Sequence, residues 1–162
     1  MIKMLSWFKG ELSKMVQKYK GTIRTVAIML MRIFPIKGSL DTLSLVYGTD
    51  KKANGYIPHY QRHLKTIRRK RLKILEIGIG GNEDLKSGGH SLRMWKTYFP
   101  KSMIYGLDIF DKSQIEEPRI KTFRGSQNDP ECLMHVAHKI GLIDIVIDDG
   151  SHISEHVITA FH

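Results

Sequence analysis

One cysteine, Cys132, stands in 162 residues, which excludes an internal disulfide and leaves no second thiolate for a metal site. A reducing, cytoplasmic setting is the expectation. Long hydrophobic runs are also missing. The stretch "TVAIMLM" from Thr25 is seven residues between Arg24 and Arg32, against the roughly 20 that span a bilayer, and no small-residue cleavage site follows it. Neither a transmembrane helix nor a signal peptide is expected. Repeats and low-complexity tracts are absent, and the chain is too short for two ordinary domains. What remains is a globular composition, 41% hydrophobic and 26% charged, that suits one cored domain with an appendage.

Acidic residues are scarce in the front half alone. Residues 1–73 hold 17 Lys/Arg against 3 Asp/Glu, and residues 74–162 hold 9 against 13, so the formal charge of +10 belongs to the N-terminal side. A basic half can meet phosphate in nucleic acid or on an anionic membrane, but it is more often a solvated surface. Aromatic residues to stack splayed bases are lacking beside "KTIRRKRLK", and that run adjoins a strand rather than a cofactor mouth, which disfavours a nucleic-acid partner. Residues 3–20 place Leu5, Phe8, Leu12, Met15, Val16 and Tyr19 at helical spacing, and residues 23–34 read as a second helix ended before Pro35. Residues 1–38 therefore read as a helical extension covering an apolar face of its own domain, or of a second copy in a homo-oligomer. Peripheral membrane contact is the alternative.

Residues 39–162 read as the main domain. Leu40 opens a helix, and the text from Gly48 to Pro58 is turn-rich. After Arg71, strands at 72–77, 102–108, 120–124 and 143–147 alternate with helices from Ser91 and from Asp129. Strands separated by helices imply crossovers, so the fold class is α/β, a Rossmann-like parallel sheet of about four strands that binds ligands at the strands' carboxyl ends.

The chemistry-bearing residues fall at those ends. "LEIGIGGN" puts Glu76, Gly78, Gly80, Gly81 and Asn82 in a turn after the first strand, where glycine permits a tight bend and close approach of a cofactor. The dinucleotide fingerprint G-x-G-x-x-G would need glycine at position 83, where this chain has Glu83. Asp108, ending the second strand, is placed to accept from ribose hydroxyls, although a helix N-cap would look the same. Glu76-x-Gly78-x-Gly80-Gly81 followed by Asp108 favours S-adenosyl-L-methionine over a nicotinamide dinucleotide. The fourth strand runs into Asp148, Asp149, Gly150, Ser151 and His152. One carboxylate there can face a cofactor and the other a substrate or Mg²⁺, while His152, on the first turn of a following helix, suits proton transfer. The bland reading is a helix cap with an exposed histidine. His152 and His156 have a transition-metal spacing, but without the acid of a zinc protease motif that reading is disfavoured.

Together "VYGTDK", "GYIPHYQRHL", "KILEIGIGGN", "GGHSLRMWKTYFPKSMIYGLDIFDKS", "RGSQND" and "DIVIDDGSH" resemble the class I S-adenosylmethionine-dependent methyltransferases similar to the macrolide-sugar O-methyltransferases of antibiotic biosynthesis, over about Leu45 to His162. The resemblance implies that Thr49, the Glu76–Asn82 turn, Ser91 and Asp108 hold the cofactor. Ser126, Gln127 and Asp148 would lie near its adenine and methionine ends. It further implies that Asp149 ligates Mg²⁺ and that His152 is the general base acting on a hydroxyl of a small-molecule acceptor, a sugar or glycoside. The family pattern continues after "DDGSH" with a helix, a fifth strand bearing further acidic ligands and a hairpin, none of which is expected within these 162 residues. The chain is thus expected to be the cofactor-binding front of an O-methyltransferase, inactive alone. The alternatives are an RNA methyltransferase, or a non-catalytic module that binds cofactor, membrane or a partner.

Overall fold

The computed structural model describes residues 21–22 and 39–161. The helices expected over 3–20 and 23–34 lie outside the described residues. Chain contacts divide the protein into Met1–Gly38 and Ser39–His162, and every element below belongs to the second unit.

Strand β1 (Lys73–Ile77) is buried at four consecutive positions, from Ile74 to Ile77, as an inside strand of a parallel sheet must be. It pairs in parallel with β2 (Met103–Asp108) on one side and β4 (Ile145–Asp148) on the other, and β3 (Ile120–Arg124) lies beyond β2. The order is β3-β2-β1-β4. The register sets Ile77 opposite both Leu107 and Asp148, so three strands deliver their carboxyl ends at one level. Because the chain builds outward from β1 to β3 and then returns to the far side of β1, the crevice between the β1 and β4 ends is the topological switch point where ligands bind in such sheets.

Among the described residues of this unit five α-helices accompany the strands: α1 (Leu40–Tyr47), α2 (Ile57–Leu64), α3 (His90–Tyr98), α4 (Pro130–Ile140) and α5 (Ser154–Phe161). Their ends carry legible signals. Ser39 accepts from the Thr42 amide to start α1, Gly48 ends it at φ 65°, and Asp129 accepts from the Glu131 and Cys132 amides ahead of Pro130 in α4. Side chains of a strand alternate between faces, and the core divides accordingly. Leu75, Ile77 and Leu107 pack with Val136 and Ile140 of α4. On the opposite face Gly106 leaves room for Ile79 of the glycine turn and Leu92 of α3, since a Cβ there would lie 2.6 Å from Ile79 Cδ1 and 3.0 Å from Leu92 Cδ1. Trp95 and Phe99, both fully buried, continue the α3 contact, and each such side chain contributes about 1.5–3 kcal/mol.

Three expectations need correction. "IPHYQRHL" forms α2, with Pro58 in its first turn, where a missing amide costs nothing, rather than continuing a loop. The fourth strand is Ile145–Asp148 rather than 143–147, because it takes its register from Ile74–Ile77. A helix, α5, does follow "DDGSH" within the chain, but it begins at Ser154, so His152 precedes it with φ 58° instead of sitting on its first turn. Among the described residues β4 has one partner strand, and Val146 on it is 46% exposed. No helix among the described residues is long and apolar enough to cross a membrane.

Candidate active site

The turn after β1 and the loop after β4 touch. Gly78 has φ 85°, and a Cβ on it would lie 2.3 Å from the carbonyl oxygen of Asp149. Only glycine allows that approach. The contact is reinforced from β2: Asp108 Oδ2 accepts from the Ile79 amide at 2.8 Å and Oδ1 from the Phe110 amide at 3.0 Å. Asp108 is therefore no helix cap. It fixes the glycine turn and retains lone pairs for a further donor.

Two chambers open over this junction, and both are lined by Gly78, Gly80 and Asp149. The first, about 310 Å³, is also lined by Thr49, Gly81, Ser91 and His152. The second, about 490 Å³, is lined by Asn82, Asp108, Ser126, Gln127 and His156. Gly80 borders both with φ 76° and no atom within 4 Å of the place a Cβ would take, so the space beside its backbone is open to a ligand. Gly81 instead serves the turn, since a Cβ on it would strike the Ser87 carbonyl carbon at 2.4 Å.

The first chamber is polar and incompletely satisfied. Thr49 Oγ1 is buried without a hydrogen-bond partner. Below it lies Glu76, wholly buried, with Oε1 2.8 Å from Lys51 Nζ but neither oxygen in a well-aligned hydrogen bond. Burial pushes the Glu76 carboxyl above its usual range, while the Lys51 ammonium and the Ser91 hydroxyl pull it down. Lys51, 1% exposed, also hydrogen-bonds Asp149 Oδ2. Burial alone would lower its pKa, but the two carboxylates outweigh burial and raise it, so the ammonium stays charged. Nothing in "TDKK" flagged Lys51, because a lysine in a polar turn reads as solvated.

At the end of β4 the paired carboxylates diverge, as expected of adjacent strand-end residues. Asp149 turns to Lys51. Asp148 turns to Gln127 Nε2 at 3.2 Å and to the Gly150 amide at 3.1 Å, and it lines neither chamber. Gln127, 6% exposed, also accepts from the Ser151 amide at 2.8 Å, so it clamps the loop that carries Asp149 and His152. Ser126 accepts from the Asn128 amide at 3.1 Å beside the second chamber. His156 lies 2.9 Å through Nδ1 from Ser151 Oγ and lines the second chamber, while His152 lines the first, so the two histidines do not form a metal pair.

A molecule with a polar, charged end and a nucleoside end fits this arrangement: the unpartnered Thr49 hydroxyl in one chamber, a strand-end acid in the other, and a bare glycine bordering both. Magnesium fits it less fully. Asp149 is a carboxylate on the chamber wall, but Lys51 already engages it, and no group of three or more His, Cys, Asp or Glu side chains among the described residues could hold a metal ion. The described residues do not make a magnesium site on their own.

No protein-family model matches the chain. It is 49% identical over 141 residues to demethylmacrocin O-methyltransferase of Streptomyces fradiae, a match covering 86% of this chain and 36% of that protein. It is 50% identical over 127 residues to mycinamicin VI 2''-O-methyltransferase of Micromonospora griseorubida, covering 77% of this chain and 32% of the relative. Among solved structures it superposes on the MycE methyltransferase in complex with Mg, SAH and mycinamycin VI with a TM-score of 0.74 at 50% identity, covering 78% of this chain and 33% of that one. The chain spans about a third of the length of these relatives.

Proposed function

We propose, from the premise that this chain has the fold of the class I S-adenosylmethionine-dependent methyltransferases and shares half of its matched residues with macrolide-sugar O-methyltransferases, that it forms the cofactor-binding part of an enzyme methylating a sugar hydroxyl. The observation that carries this reading is the pair of chambers meeting at Gly80 over the β1–β4 switch point.

In this reading Thr49, Ser91 and the amides of the glycine turn would hold the methionine end of the cofactor in the first chamber, with Glu76, already paired with Lys51, at the end of β1. The nucleoside lies in the second chamber, with Asp108 accepting from the ribose and Asn82, Ser126 and Gln127 around the base. Asp148 contributes indirectly, by holding Gln127. When bound, the cofactor would supply an electrophilic methyl group on a sulfonium.

The protein's own task is alignment and proton removal. His152, at the mouth of the first chamber, takes the proton from the acceptor hydroxyl as the oxygen approaches. Asp149 stands beside it and can contribute one carboxylate to an Mg²⁺ site whose other donors lie outside the described residues. The single cysteine supports a cytoplasmic setting for this chemistry.

The test uses S-adenosylmethionine labelled in the methyl group with a macrolide glycoside as acceptor. The 162-residue chain is expected to retain labelled cofactor on a desalting column and to transfer no methyl. A chain that retains none contradicts the cofactor reading, and one that turns over contradicts the reading that this part is inactive alone.

A further inference from the structure

Lys112 is 1% exposed, yet among the described residues its ammonium meets no carboxylate. It donates to three backbone carbonyls, those of Asn82 at 2.7 Å, Asp84 at 2.9 Å and Ser87 at 3.2 Å. An ammonium has three donors, so all three are used. Burying a cation without a counter-charge is costly and is tolerated only where oxygens replace its water.

The three carbonyls belong to one short segment, which leaves the cofactor turn after Gly81 and returns to it at Gly88. Its two ends are in contact: a Cβ on Gly88 would lie 2.2 Å from the Gly80 oxygen. Asn82 takes a left-handed conformation, φ 44°, to begin the excursion. Carbonyls that converge inside such a loop repel one another, and the Lys112 ammonium is what they converge on. The end of β2 and the stretch after it thus hold the loop at two points, with Asp108 fixing its entry at the Ile79 amide and Lys112 fixing its body.

We propose that Lys112 is the positioning residue of the cofactor loop, a tethered cation in a three-carbonyl cradle that would otherwise take a free alkylammonium ion. It lines neither chamber itself and acts through the backbone of two residues that do, Ser87 in the first chamber and Asn82 in the second. For cofactor affinity the proposal rests on the function proposed above; for the order of the loop it does not.

The experiment compares the full chain with Lys112→Met and Lys112→Ala by amide hydrogen exchange, thermal melting and calorimetric titration with S-adenosylhomocysteine. Lys112→Met is expected to speed exchange across residues 79–91, leave β1, β2 and β3 protected, and weaken S-adenosylhomocysteine at least tenfold. Propylammonium, which supplies the atoms that Lys112→Ala removes, is expected to restore loop protection and affinity to Lys112→Ala. It should have no effect on Lys112→Met, where the thioether fills the space. Wild-type exchange in Lys112→Met overturns the proposal. So does faster exchange spread over all three strands with a lowered melting temperature, which would make Lys112 a residue of the whole fold. A Lys112→Ala defect that propylammonium leaves unchanged overturns it as well. If the unaltered chain binds no S-adenosylhomocysteine, the cofactor reading fails, and the exchange and propylammonium arms still decide the role of Lys112.

Discussion

Lys51 and Asp149, 98 positions apart in the chain, share a hydrogen bond beneath the cleft, and the same ammonium neutralises the buried Glu76 at 2.8 Å. One side chain thereby ties the loop after α1 to the ends of both β1 and β4. Lys51→Met strands Glu76 without its cation, and losing one partner of a buried pair costs about 3–5 kcal/mol. Urea unfolding should show that loss, with Lys51→Met/Glu76→Gln recovering part of it.

The pH dependence of that variant has a definite sign. With Lys51 gone, burial raises the Glu76 carboxyl against the Ser91 hydroxyl alone, so the folded form binds more protons than the unfolded one. Stability of Lys51→Met should therefore fall as pH rises above the ordinary glutamate value of about 4.3, and its deficit should be larger at about pH 8 than at about pH 5. The double variant should lack this added slope. An equal deficit at both pH values would contradict the electrostatic account.

Gly78 and Gly88 are predicted to be architectural. Gly78→Ala would place a methyl 2.3 Å from the Asp149 oxygen at φ 85°, and the neighbour is backbone that cannot swing aside. Melting should drop by well over the roughly 2–4 °C that about 1 kcal/mol produces in a chain of this length.

Much of this was legible in the sequence because it rests on local text. Apolar runs ending in Glu76-Ile77, Asp108 and Asp148 announce buried parallel strands, and the glycines after Ile77 announce the turn. The unread parts are those where distance along the chain hides a partner. Lys51 and Lys112 look like solvated lysines until the fold buries both at 1% exposure, one against carboxylates and one against carbonyls. Helix α2 was missed although Ile57 and Leu64, seven positions apart, mark a buried face, because Pro58 and the polar text around it read as a turn. The conformation of His152 was hidden because a left-handed histidine has no sequence signature like that of glycine.

Cys132 offers a probe of the fold independent of function. Burial pushes its thiol up, the Asp129 carboxylate pushes it further, and a backbone contact at Ser126 only partly opposes them. Iodoacetamide at about pH 8 should therefore label the folded chain several-fold more slowly than the urea-unfolded one, where an ordinary thiol of pKa about 8.5 is exposed. Equal rates would mean that the fold does not shield the Cys132 thiol.

His152 is predicted to act in transfer and not in binding. In a chimera joining this chain to the remaining two thirds of the mycinamicin VI methyltransferase, His152→Ala should keep S-adenosylhomocysteine affinity while kcat falls by about 10²–10⁴, the usual worth of a general base. A matching loss of affinity would assign His152 to the cofactor instead.

The central claim, that the cleft at the switch point holds S-adenosylmethionine, is tested most directly by calorimetric titration of S-adenosylhomocysteine into the chain and into two matched variants, Gly80→Ala and Gly55→Ala. Both glycines have positive φ, 76° and 75°, and neither has an atom within 4 Å of the added Cβ, so the backbone cost is alike. Only Gly80 lines the chambers. The account predicts one site per chain, unchanged in Gly55→Ala and weakened at least tenfold in Gly80→Ala; an unaltered chain that binds nothing, or a Gly80→Ala that binds as well as Gly55→Ala, would contradict it.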